Sequence, residues 1–233
     1  MTDLYNQKTT TGYGVLGRTQ SNRVFLFVFR PGVVGYCDLL ALCNRERLPG
    51  IDMEHFAPHS GATFEGYYSK FILPSGASLC LIVCSVHQAD NRPHMVSFTY
   101  VPADPAQKIY QKEIFPEKGT MTFVAAKERN SFELKVDQLG YVKVSPDSTT
   151  EYNLTCPEWT FRATTITRVP WSSNTSTPES WLVYLPLPLH WHVHSLASKC
   201  NFDLQIPKGA HLDAQDEHGV TTVHQEKVGV LVV

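Results

Sequence analysis

The stretch ATFEGYYSKFILPSGASLCLIVCSV, Ala62 to Val86, decides the fold. Its side chains follow a period of two: Thr63, Glu65, Tyr67, Ser69 and Phe71 share one face, and Phe64, Tyr68 and Ile72 the other. Extended backbone has that period because successive Cβ atoms point to opposite sides. Pro74–Ser75–Gly76 is turn chemistry, and SLCLIVCSV after it is an apolar, β-prone run. The segment predicts a hairpin whose second arm is buried on both faces.

Downstream, HMVSFTYV, MTFVAAK, SFELKV, YVKVS and YNLTC repeat the pattern between polar turns, and SFELKV places Phe132, Leu134 and Val136 inside. EWTFRATTITRVPW sets Trp159, Phe161, Ala163, Thr165 and Thr167 on one face. In WLVYLPLPLHWHVHSLAS, Pro186 and Pro188 forbid a helix interior and favour an edge or bent strand. Roughly ten short strands at such spacing imply an all-β, antiparallel barrel or sandwich.

The beginning of the chain reads differently. Val24 to Cys43 is apolar but interrupted by Arg30, Pro31, Gly32, Gly35 and Asp38, so it is no membrane span. Asp38 to Arg47 is the best short-helix candidate. The expected organisation is an irregular segment over residues 1–53 and a β domain over residues 54–233.

Composition narrows the function. A 233-residue chain that is 42% hydrophobic can build a core without staples. Lys+Arg 20 against Asp+Glu 22, with no basic stripe, argues against a nucleic-acid partner. The six cysteines are scattered and read as reduced core thiols rather than a zinc knuckle. The polar start MTDLYNQKTTTGYG lacks the plan of a secretory signal, which predicts a cytoplasmic chain. Nothing resembles a nucleophile elbow, a phosphate loop or a dinucleotide fingerprint, and no cofactor is expected.

Two clusters could carry chemistry. In HWHVH, strand geometry points His190, His192 and His194 to one face and Trp191 and Val193 to the other. His190 and His194 would stand ~13 Å apart at their α-carbons, so the three cannot easily share one ion. Two of them with His224 or Glu226 could hold a metal; lining of an internal cavity and ordinary core or surface histidines are the alternatives, and no metal is expected. Glu65, inside an aromatic strand, reads either as an acid facing a pocket or as a solvent-facing or Arg-paired carboxylate; alternation makes Tyr67 its partner.

PHSGATFEGYYSKFILPSGASLCLIVCSV, Pro58 to Val86, resembles the opening F-E-G-[WY]-Y strand, LP-x-G turn and apolar return strand of the tocopherol cyclase-like family. PLPLHWHVHSLAS, Pro186 to Ser198, looks like that family's Trp-His-Val strand, and VHQEK, Val223 to Lys227, like its His-x-Glu-Lys element. The resemblance implies a lipocalin-like β architecture around an apolar cavity. It also implies cofactor-independent ring closure on a prenylated phenol, in which an acid protonates an alkene and the phenol oxygen captures the cation.

On that resemblance Glu65 is the candidate proton donor, and His192 and His194 are candidate relays to the phenol. Tyr67, His190, Trp191 and Glu226 are candidate substrate contacts. Family members continue with Asn-Trp and a second β half where this sequence reads VGVLVV, so a chain truncated relative to the family is expected. A lone first half would expose an apolar cleft and a β edge, and so dimerise, aggregate or bind an apolar molecule without turnover. Three functions stay open: a cyclase with a cavity lined by Glu65 and the histidines, a non-catalytic binder of apolar molecules, and a filled structural barrel.

Overall fold

The computed structural model describes residues 55–59, 62–86, 89–125, 131–173, 177–179, 189–209 and 213–231. All of them lie in the unit Arg47–Val233. The segment over residues 1–53 and the Asp38–Arg47 helix fall outside the described residues.

Among the described residues, eleven strands form one antiparallel sheet: β1 (Ala62–Ile72), β2 (Ser78–Val86), β3 (His94–Val101), β4 (Tyr110–Ile114), β5 (Met121–Ala125), β6 (Phe132–Val136), β7 (Gly140–Val144), β8 (Thr150–Cys156), β9 (Trp159–Thr165), β10 (Leu189–Ile206) and β11 (Gln215–Leu231). The order β4-β3-β2-β1-β11-β10-β9-β8-β7-β6-β5 is a next-neighbour meander joined by the β1–β11 pairing and open between β4 and β5. The sheet curls on itself. Phe98 of β3 stacks on Trp159 of β9 with centroids 4.2 Å apart, and Phe71 of β1 meets Phe161 of β9 at 4.9 Å. The fold class is therefore all-β and antiparallel, a curled lipocalin-like barrel rather than two separate sheets.

Alternation explains which residues fill it. Glu65, Tyr67, Ser69 and Phe71 of β1 are buried, as are Phe132, Leu134 and Val136 of β6 and Trp159, Phe161, Ala163 and Thr165 of β9. Two expectations need correction. The second arm of the hairpin is buried on its Leu79, Leu81, Val83 and Ser85 face but only half-buried on the other, because the sheet has one packed side here. Thr167 is exposed, because β9 ends at Thr165 and the chain turns away from the ladder.

β10 has two regimes. Cys200–Gln205 is paired on both sides, with β9 and β11, whereas Leu189–Ser198 has a ladder only to β11. The open side of that first part is covered by the chain after β9: Leu196 donates its N–H to the Val169 carbonyl at 2.8 Å, and Arg168 Nε donates to the His194 carbonyl at 2.7 Å. Between Val193 and Ser198 the register slips twice against β11, as bulges do where a strand bends.

Candidate functional site

The site grows from the β1–β11–β10 seam. Glu65 sits opposite Gly229 of β11, where an added Cβ would lie in ordinary van der Waals contact with the Glu65 Cγ, at 3.7 Å. The carboxyl group is fully buried. Its Oε1 accepts the His59 backbone N–H at 2.9 Å and lies 2.8 Å from His59 Nδ1 and 3.4 Å from Lys227 Nζ. Lys227, inward on β11 opposite Tyr67, also donates to the Ala57 carbonyl at 2.7 Å and meets His59 Nδ1 at 2.9 Å.

One ring nitrogen therefore faces both a carboxyl oxygen and an amine. An imidazole nitrogen either donates its proton or offers its lone pair, so the two contacts compete for one proton position. Burial pulls the Lys227 ammonium down to about 8, against the opposing pull of Glu65. The three groups form a buried, hydrogen-bonded cluster.

The three imidazoles of HWHVH are all buried. His190 Nδ1 lies 3.2 Å from Glu179 Oε2. Burial, then the charges of Lys227 and other cationic groups, pushes His192 down to about 2. Burial pushes His194 down to about 3 despite a hydrogen bond to the Ser148 backbone. Both are neutral at pH 7 and act as hydrogen-bond acceptors or weak bases, not as cationic acids. Burial, reinforced by Glu65, holds the Tyr67 hydroxyl well above its usual range.

Trp191 and Glu226 are placed on the outer face instead. Trp191 Nε1 donates to Glu226 Oε2 at 2.9 Å, and the same oxygen lies 3.2 Å from His224 Nε2. The structure thus brings Glu65, Tyr67, His190, His192 and His194 to the interior, keeps Glu226 on the outer face, and leaves Trp191 part-exposed beside a cavity that it lines with His190 and His192. Among the described residues no group of three His, Cys, Asp or Glu side chains could hold a metal ion.

Two small cavities lie in the barrel, the second of them against the cluster, each with about 10 Å³ of space for a water-sized occupant, room for one water. One is lined by Phe56, Tyr67, Phe132, Tyr152 and Gln225 among others, and the second by His59, His190, Trp191, His192 and Lys227 with Ala62 and Gly229. A buried polar chain runs through the interior: Gln225 Nε2 donates to Thr150 Oγ1 at 2.9 Å and to the Tyr152 oxygen at 2.8 Å, and that oxygen lies 2.8 Å from Ser69 Oγ.

Sequence reading missed Lys227, His59, Phe56 and Gln225 as site residues. Alternation along VHQEKVG could have flagged Gln225 and Lys227 as one inward face; nothing local marks Phe56 or His59, which reach the barrel from before β1.

Neither a family model nor a curated protein matches the sequence. Among solved structures, the chain is similar to a protein from Nitrosomonas europaea provisionally named ATTH, at 12% identity and a TM-score of 0.50, over 76% of this chain and 54% of that one. It is similar to CghA crystallised with Sch210972 at 11% identity and a TM-score of 0.50, over 73% and 46% respectively. The fold is lipocalin-like. This lipocalin-like chain spans about half the length of the structures it matches.

Proposed function

We propose that this lipocalin-like barrel is a cofactor-independent cyclase of an apolar substrate, a prenylated phenol or a similar molecule as in the tocopherol cyclase-like family. The observation that carries the reading is the buried Glu65–His59–Lys227 cluster, which stores protons beside an apolar interior. Protonating an alkene needs an acid shielded from water, because the cation formed would otherwise be trapped. Lys227 passes a proton through His59 to Glu65, Glu65 gives it to the alkene, the phenol oxygen closes the C–O bond, and the phenolic proton restores the Lys227 ammonium by the same route. His192 and His194 accept the phenol's hydrogen bond, and Tyr67 and His190 line the two cavities. Trp191 and Glu226, which face outward, hold β10 to β11.

The test is Glu65→Gln assayed on a prenylated phenol by chromatography of the cyclised product. The expected result is a kcat lower by about 100-fold or more with binding nearly unchanged, as for loss of a general acid. An undiminished kcat rules out Glu65 as the donor.

A second reading, binding without turnover, draws on a different observation: both cavities admit about one water, so a ligand enters only if the interior repacks. CghA, crystallised with Sch210972, is a fold neighbour and supports the use of such barrels to hold ligands. Saturable binding of a prenylated phenol by the unaltered protein with no product would favour this reading.

A further inference from the structure

Phe56 belongs to no strand, yet its ring is 3% exposed inside the barrel. It lies flat on His194, with centroids 4.3 Å apart and planes at 13°, and more distantly on His192 at 5.7 Å and 26°. Tyr67 and Phe132 meet it edge-on at 5.6 and 5.5 Å. A parallel imidazole on one side and perpendicular rings on others make a slot shaped for a flat ring.

The slot walls carry polar atoms that a phenyl ring cannot satisfy. Tyr67 Oη and His194 Nε2 are buried without a hydrogen-bond partner, and so is Gln225 Oε1 in the wall of the adjoining cavity. Buried polar atoms in folded proteins are nearly always paired, so two unpaired ones on rings against Phe56 and a third in the adjoining cavity point to a missing partner. His194 is neutral and offers a lone pair at Nε2, and Gln225 Oε1 is an acceptor too; both call for an incoming N–H or O–H.

The segment that delivers Phe56 lies outside any strand. Glu65 Oε1 accepts the His59 N–H, and Lys227 Nζ donates to the Ala57 carbonyl. A short stretch held by such side-chain hooks rather than by ladders opens at lower cost than a strand laddered on both sides.

We propose that the slot filled by Phe56 is the ligand site of this barrel, that Phe56 is its resident plug, and that the ligand displacing it is a planar apolar ring bearing one N–H or O–H donor. The inference rests on the apolar-ligand reading and adds where the ligand binds and what it must evict. Eviction weakens apparent affinity by the fraction of molecules with the plug out.

The experiment titrates the unaltered protein and Phe56→Ala with 2-naphthol and with naphthalene, and follows amide hydrogen exchange of residues 55–59 in the unaltered protein. The expected result is at least about tenfold tighter 2-naphthol binding by Phe56→Ala, because the competing plug is gone. Saturating 2-naphthol should also speed exchange at the His59 amide of the unaltered protein, the reverse of ordinary ligand protection. Equal affinity for naphthalene overturns the donor requirement. Equal binding by both proteins, with exchange at 55–59 unchanged, overturns the plug while leaving the apolar-ligand reading intact. Absence of binding to a Phe56→Ala protein with a native near-ultraviolet spectrum overturns both. If Phe56→Ala does not fold, the exchange experiment alone decides, and unchanged exchange at saturating 2-naphthol overturns the proposal.

Discussion

Lys227 is 3% exposed and stands 3.4 Å from a fully buried Glu65, so each is the nearer half of the other's solvation. Burial of two charges costs more than their attraction returns unless further hydrogen bonds complete both shells, and here the Ala57 carbonyl, the His59 amide and the His59 ring do so. Removing one partner is then worse than removing both. Lys227→Met is expected to destabilise the protein by roughly 3 kcal/mol, since it strands Glu65, whereas Glu65→Gln/Lys227→Met should recover more than about 1 kcal/mol of that loss. Urea unfolding of the four proteins of this cycle measures it, and additive losses would show that the two groups do not sense each other. Legibility at this scale was uneven. Glu65 and Tyr67 share an inward face because the period of two fixes it, and HWHVH does point its imidazoles inward. The partners of Glu65 were not legible: Lys227 is 162 residues away and becomes a neighbour only through the β1–β11 pairing.

At the scale of elements, turns and bulges set what the strands can present. Alternation made β1, β6 and β9 readable, because each keeps one packed side, and the single register shift of β1 against β11 falls at its start, between Ala62 and Phe64. β10 was readable only in part: its two register slips between Val193 and Ser198 depend on β11 and on the chain after β9, neither of which is encoded locally. The β6–β7 turn provides the clearest mutational contrast. Gly140 has φ 126°, and a Cβ there would lie 1.9 Å from the Asn153 carbonyl oxygen of β8. Gly76, in the β1–β2 turn, also has positive φ, at 87°, but a Cβ there would meet only Ala103 Cβ at 3.5 Å. Gly140→Ala should therefore cost more than about 3 kcal/mol, through strain plus a backbone clash that forces β7 from β8, and Gly76→Ala about 1 kcal/mol from strain alone. Thermal unfolding of the two variants checks the order; similar losses would mean the β7–β8 contact yields easily.

For the whole molecule, the meander brings residues from both ends of the described chain into one interior, and that interior holds neutral histidines. His192 is surrounded by Lys227, His194, Arg168 and His55, all of which disfavour a proton on it, and burial disfavours it most. His194 is held down by burial and then by Arg168. In the unfolded chain both titrate near 6.5, while in the folded barrel they titrate at about 2 and about 3. Between about pH 3 and 6.5 the unfolded state therefore binds more protons, and stability falls as pH falls through that window. Each histidine removes about 1.4 kcal/mol per pH unit well below 6.5, so together they can exhaust a typical ~5–15 kcal/mol of stability within a few units. The exposed carboxylates Asp147 and Glu158, held low by their hydrogen bonds, act in the same direction but only near their own, more acidic titration range. Acid unfolding should thus begin well above pH 4 and depend on the two imidazoles. His192→Phe/His194→Phe, which keeps rings against Phe56 while removing both titrating groups, should flatten the urea-derived stability between pH 6.5 and 4.5 by about 2.7 kcal/mol per unit at its steepest. A slope unchanged from the unaltered protein would mean that the imidazoles take up protons without unfolding, and that water reaches the barrel interior.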